Sequence, residues 1–114
     1  MTVMFDTKAG RLLDEIREIF GLSETELADL FRVRRPSLTA WRETGLPQTR
    51  MATAERLLDL AHVFAREVIP GRIPEIVRTP DEWLGGRSVL TVVATEGPEP
   101  IYGYLHRLFS YDAP

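Results

Sequence analysis

Apolar side chains recur along this chain mainly at helical spacing. Leu12, Leu13, Ile16, Ile19 and Phe20 fall at i, i+1, i+4, i+7 and i+8, one stripe of an amphipathic helix. This predicts a helix from Arg11 to a stop at Gly21, preceded by a loose tail of seven residues. Ser23-Glu24-Thr25-Glu26 then has the form of a capping box, with Leu22 and Leu27 at the staple positions. A short helix from Glu24 to Phe31 follows, burying Leu27, Ala28 and Phe31. After a break at Arg32-Val33-Arg34, Pro36 suits the first turn of another helix. Leu38 and Trp41, at i and i+3, point inward together, and Gly45 and Pro47 close the segment. Thr49 is the expected cap of a longer helix, Arg50 to Val68, striped by Met51, Ala54, Leu57, Leu58, Ala61, Phe64, Ala65 and Val68.

Past Pro70-Gly71 the predicted elements shorten. Ile73 to Val77 reads as one helical turn. Thr79-Pro80-Asp81-Glu82 reads as a second capping box, launching Trp83 and Leu84 and stopping at Gly85-Gly86. Ser88 caps a short helix with Val89, Leu90, Val93 and Ala94, ended by Gly97. A closing helix from Pro98 carries Ile101, Tyr104, Leu105, Leu108 and Phe109, weakened at Gly103 by about 1 kcal/mol relative to Ala. Only Ser88 to Thr95 is β-rich enough to be ambiguous. The expected fold is all-α, with a helix-turn-helix half over 8–70 and a smaller helical half over 71–114.

Composition narrows the chemistry. The 114 residues contain no cysteine, which excludes disulfides, zinc-thiolate sites and a cysteine nucleophile. The longest apolar run is three residues, as in Val92-Val93-Ala94. That is too short for a membrane span or a signal-peptide core, so a cytoplasmic protein is expected. His62 and His106 have no metal-ligand spacing, and no phosphate-binding loop or nucleophile elbow is present. The expectation is no catalytic residue, no metal, no cofactor and no enzyme activity.

Charge changes the picture more. The net charge is −3, yet residues 32–50 hold Arg32, Arg34, Arg35, Arg42 and Arg50 against Glu43 alone, or +4 over nineteen residues. A compact basic patch on an acidic protein can neutralise phosphates locally. It coincides with two short helices joined by a tight turn, the second opening on Arg-Arg. That is the arrangement in which a second helix presents its N-terminal side chains to the major groove. The candidate DNA-binding residues are Arg34, Arg35, Ser37, Thr39, Arg42 and Arg50. Arg can bond bidentately to guanine, while Ser and Thr reach phosphates or bases. A single recognition helix reads one half-site, so a homodimer is expected. At the other end, Tyr102, Tyr104, Phe109 and Tyr111 are four of the ten aromatics, all within the last thirteen residues. Such residues serve either a small core or an interface.

The segment LSETELADLFRVRRPSLTAWRETGLP resembles the Xre/Cro-type helix-turn-helix. Arg32 stands where that family usually has Gly, so either it adopts a positive φ, costing about 1 kcal/mol, or the turn differs. Glu24 stands where the family often has Gln. The segment RTPDEWLGGRSVLTVVATEGPEPIYGYLHRLFSYDAP resembles the C-terminal domain of the Xre/MbcA/ParS antitoxins through Trp83-Leu84, Gly86, Ser88, Leu90, Gly97 and the closing helix. Val89 replaces a common Pro. Together the two resemblances cover about residues 10–112. They imply a type II antitoxin whose first half binds operator DNA and whose second half binds a RES-domain toxin, an enzyme that consumes NAD or transfers its ADP-ribose. The closing segment would block the toxin's active site. The candidate toxin contacts are Trp83, Tyr102, Tyr104, Arg107, Phe109 and Tyr111. Two other functions fit the pattern: a stand-alone transcriptional regulator, and an interaction or immunity module that no longer reads DNA.

Overall fold

The computed structural model describes residues 7–110. Among these, seven α-helices run in the order α1 (Lys8–Phe20), α2 (Glu24–Leu30), α3 (Arg35–Thr44), α4 (Gln48–Glu67), α5 (Ile73–Arg78), α6 (Val89–Glu96) and α7 (Glu99–Ser110). Single 3-10 turns cover Pro70–Arg72 and Glu82–Leu84. There is no strand among the described residues, only an isolated antiparallel bridge between Asp81 and Arg87. The protein is all-α, and the β-rich stretch at residues 88–95 is helical because Ser88 caps it, its hydroxyl accepting from the Thr91 N–H.

Helix α1 starts earlier than the apolar stripe predicts. Thr7 is its N-cap, accepting at 2.9 Å from the Gly10 N–H and donating its hydroxyl to the Arg42 carbonyl. Gly21 ends α1 at φ 68°, where the Gly21 N–H bonds Glu18 O and the Leu22 N–H bonds Arg17 O. This is the Schellman arrangement, which favours glycine. A Cβ on Gly21 would also lie 2.6 Å from Pro74 Cγ on α5. Gly21→Ala should therefore cost at least about 2 kcal/mol, from the left-handed backbone together with the collision. Urea unfolding checks this; a loss of only a few tenths would mean that α5 yields freely.

The turn between α2 and α3 repeats the motif without glycine. Arg32 sits at φ 59°, with its N–H on Asp29 O and the Val33 N–H on Ala28 O. Of the two possibilities open at Arg32, the chain takes the positive φ. Two expected caps differ. Helix α4 begins at Gln48 after Pro47, with no side-chain cap from Thr49. The second predicted capping box does not form: Asp81, not Thr79, caps the 3-10 turn by accepting from the Trp83 N–H at 2.8 Å, while Thr79 donates back to Glu75 O on α5.

The buried side chains make one continuous cluster spanning both halves. Helix α1 packs along α4, with Phe20 and Phe64 edge to face at 5.5 Å. Leu38 and Trp41 pin α3 inward, Trp41 meeting Phe31 at 5.7 Å. Contacts of α1 with α5 and of α2 with α6 join the two halves. On α4, Leu60 is fully buried although the predicted stripe omitted it, and Ala65 is exposed although the stripe included it.

Candidate nucleic-acid and partner interfaces

The start of α3 presents its polar side chains outward because Leu38 and Trp41 hold the opposite side in the core. Arg34, Arg35 and Thr39 are exposed and Ser37 is half-buried. Neither Arg34 nor Arg35 has an ion-pair partner among the described residues. Exposed Arg32 adjoins them on the turn. Sequence reasoning counted it in the basic patch but not among the contacts. The signal that would have placed it there was its position in the turn directly ahead of α3. Pro36 and Ala40 lie on the same exposed side, and Glu43 stands farther along. The carboxylate of Glu43 repels phosphate, so the attractive charge is concentrated at the N-terminal end of α3.

Two of the expected DNA contacts are turned into the scaffold. Arg42 is half-buried, and its guanidinium donates to Asp14 Oδ1 from Nε at 3.2 Å and from Nη2 at 3.0 Å. It also donates to Glu24 Oε1 at 3.0 Å and pairs with Glu24 Oε2. Burial pulls the Arg42 pKa down, but hydrogen bonds to Glu24 and Asp14 outweigh that and raise it. One side chain thus ties α3 to α1 and α2. The same pairing neutralises Glu24, the acid that would otherwise repel a phosphate near the start of α2. Arg50 lies over the Trp41 ring at 5.6 Å and donates at 2.6 Å to Phe31 O, at the carbonyl end of α2. A cation there complements the helix dipole. Both arginines hold the helix pair together, and their partners lie too far along the sequence for a local pattern to reveal.

Helix α7 carries the aromatic residues, and the structure divides them. Tyr104 is buried, at 8 % exposure, and fills the core beside Trp83. Burial and the adjacent Asp81 carboxylate push its phenol up from the ordinary value. Tyr104 is therefore mainly a core residue in this fold, where the sequence expects it on the surface. Trp83 is 46 % exposed, with Arg107 over its ring at 5.9 Å and exposed Leu108 alongside. Gly103 lies against this ring: a Cβ there would stand 3.4 Å from Trp83 Cη2, in van der Waals contact. Tyr102 and Phe109 are also exposed, and with His106, Val63 and Glu67 they line a separate hollow between α7 and α4. Tyr102 and Arg107 are five residues apart, about 140° round the helix, so the two patches flank opposite sides of α7. Sequence reasoning missed Leu108 and His106 as surface neighbours; the i, i+4, i+7 spacing of Tyr102, His106 and Phe109 carried that signal. Tyr111 lies outside the described residues.

At the junction of the halves, Arg78 of α5 donates to both oxygens of Glu26, from Nη2 to Oε1 at 2.6 Å and from Nε to Oε2 at 2.9 Å. That hydrogen bonding, opposed by burial and aided by the Ser23 N–H, holds the Glu26 carboxyl below its ordinary value of 4.5. A carboxyl with a depressed folded pKa contributes stability that is complete above its unfolded pKa and is lost as pH falls through the folded one. The stability gap between the wild type and Glu26→Gln should therefore be full at neutral pH and shrink on acidification below 4.5. Denaturant melts across that range check this, and a gap that stays constant into strong acid would contradict it.

No group of three or more His, Cys, Asp or Glu among the described residues could hold a metal ion. No described helix is long and apolar enough to cross a membrane. No protein-family model, curated protein or solved structure matches the chain.

Proposed function

We propose that this chain is a type II antitoxin that occupies operator DNA as a homodimer in the cytoplasm and neutralises a RES-domain toxin, without catalytic activity of its own. The observation that carries the DNA half is the exposed Arg34–Arg35 pair at the start of α3, without an ion-pair partner among the described residues and joined by Arg32 on the turn. Arginines with an unoccupied planar fork suit guanine edges and phosphates. An arginine kept only for solubility would not need Arg42 and Arg50 bracing the same helix pair from within. The toxin half rests on the resemblance over residues 78–114 and on the surface that α7 offers. Trp83 under Arg107 on one flank and Tyr102 with Phe109 on the other are the residue types that anchor protein interfaces.

Co-expression with the adjacent reading frame tests the proposal. The neighbour is expected to arrest growth when expressed alone, and to be harmless and co-purify when this chain is present. A chain that purifies alone beside a harmless neighbour would favour the stand-alone regulator. Retained binding to operator DNA would then separate that regulator from an interaction module.

A further inference from the structure

We infer that Arg78, on the C-terminal side of the molecule, is a positioning residue for the DNA-facing helix pair, so that α5 sets the orientation of α2. The inference rests on the DNA-binding reading above. Its basis is the number and direction of the bonds that one guanidinium makes. Beyond the two bonds to Glu26, Arg78 Nη2 donates to Gly21 O at 2.6 Å, and Nη1 donates to Pro74 O at 2.7 Å on its own helix. Gly21 is the residue that ends α1, and Glu26 belongs to the first turn of α2. The link therefore spans the connection between the first two helices and ties both to α5.

Glu26 has a second task. It is the reciprocal member of the α2 capping box: its Oε1 accepts from the Ser23 N–H at 2.9 Å, and the Glu26 N–H donates to Ser23 Oγ at 3.1 Å. The carboxylate that starts α2 is thus the one gripped from α5. A planar fork facing two carboxylate oxygens fixes direction as well as distance. Pro74 also packs close against Gly21, where an added Cβ would stand 2.6 Å from Pro74 Cγ. Helix α6, packed on α2, lines the open cleft beside this link, with Ser88, Leu90, Thr91 and Thr95 facing Glu26 and Arg78.

Glu26→Gln separates the two tasks, because Gln still caps but no longer pairs as an anion. The experiment measures binding of the full-length chain to a fluorescent duplex from the DNA immediately upstream of its reading frame. A scrambled duplex of equal length serves as reference. Arg78→Ala and Glu26→Gln are each expected to weaken specific binding about tenfold, and the double variant no further than either single one. Arg78→Lys should fail to restore affinity, since an ammonium cannot span both carboxylate oxygens and the Gly21 carbonyl. Full recovery with Lys would show a direct phosphate contact and overturn the positioning role, as would additive losses or unchanged affinity. Amide exchange on the same proteins gives an arm independent of DNA. Exchange of the α2 amides should quicken in Arg78→Ala, and unchanged protection would show that α5 does not hold α2. A wild type that binds neither duplex would instead remove the DNA reading itself, while the exchange result still decides the bridge.

Discussion

Phe64→Ala should cost about 3–5 kcal/mol of folding free energy. The side chain has no solvent exposure and lies near the end of α4, the last helix of the first half. Its ring meets the edge of Phe20 at 5.5 Å, in the seam where α4 lies along α1. Truncation removes the transfer free energy of the ring, the edge-to-face contact and the packing around it. Leu57, Leu60 and Ala61 on α4, with Leu13 and Ile16 on α1, are at most 1 % exposed and have no spare volume to close the gap. A domain of this size is typically stable by about 5–15 kcal/mol, so this one change removes a large part of the total. Urea unfolding should show a lower midpoint with little change in slope. A loss under about 1 kcal/mol would mean that the α1–α4 seam repacks easily, and the account of the core would fail.

Arg35→Ala is the variant expected to affect function most, lowering affinity for the specific DNA site by about 1–3 kcal/mol and relaxing sequence preference. Arg35 opens α3, is exposed and has no ion-pair partner among the described residues. Its removal should leave thermal stability nearly unchanged, because no ion pair among the described residues is lost. Arg34→Ala, one residue earlier at the helix cap, is the contrast. If it contacts only phosphate, it should weaken all sequences alike and lower the salt dependence by about one ion. Titrations against specific and scrambled duplexes at several salt concentrations separate the two. Equal affinity of Arg35→Ala and wild type for the specific duplex would remove Arg35 from the reading surface.

Arg42→Ala is instructive beside these. Its sequence position suggests a groove contact, yet its guanidinium is held by Asp14, twenty-eight residues away, and Glu24, eighteen residues away. Arg50 belongs to the same basic patch and reaches back nineteen residues to Phe31 O. Tyr104 belongs by type with the interface aromatics and lies in the core beside Trp83. In all three cases the residue type is suited to either role. The choice was made by partners that only the folded chain brings near.

The helical class and most helix boundaries are legible in the chain's sequence, because these depend on neighbours within a turn or two. The Ser23–Glu26 capping box, the Gly21 stop, Pro36 in the first turn of α3 and the Ser88 cap all formed as local chemistry requires. Apolar periodicity also identified most of the buried face of α1 and the inward pair Leu38 and Trp41. Tertiary structure decided what local spacing cannot encode. It drew Thr7 into capping α1 while its hydroxyl bonded Arg42 O, and it let Asp81, not Thr79, cap the 3-10 turn. It closed one core across both halves and split the aromatics of α7 between interior and two surface flanks. It left Arg34 and Arg35 exposed while engaging Arg42, Arg50 and Arg78. The physical reason is range: a cap or stripe is satisfied within a few residues, whereas an arginine's partner is whichever carboxylate or carbonyl the packing of helices brings within hydrogen-bonding distance.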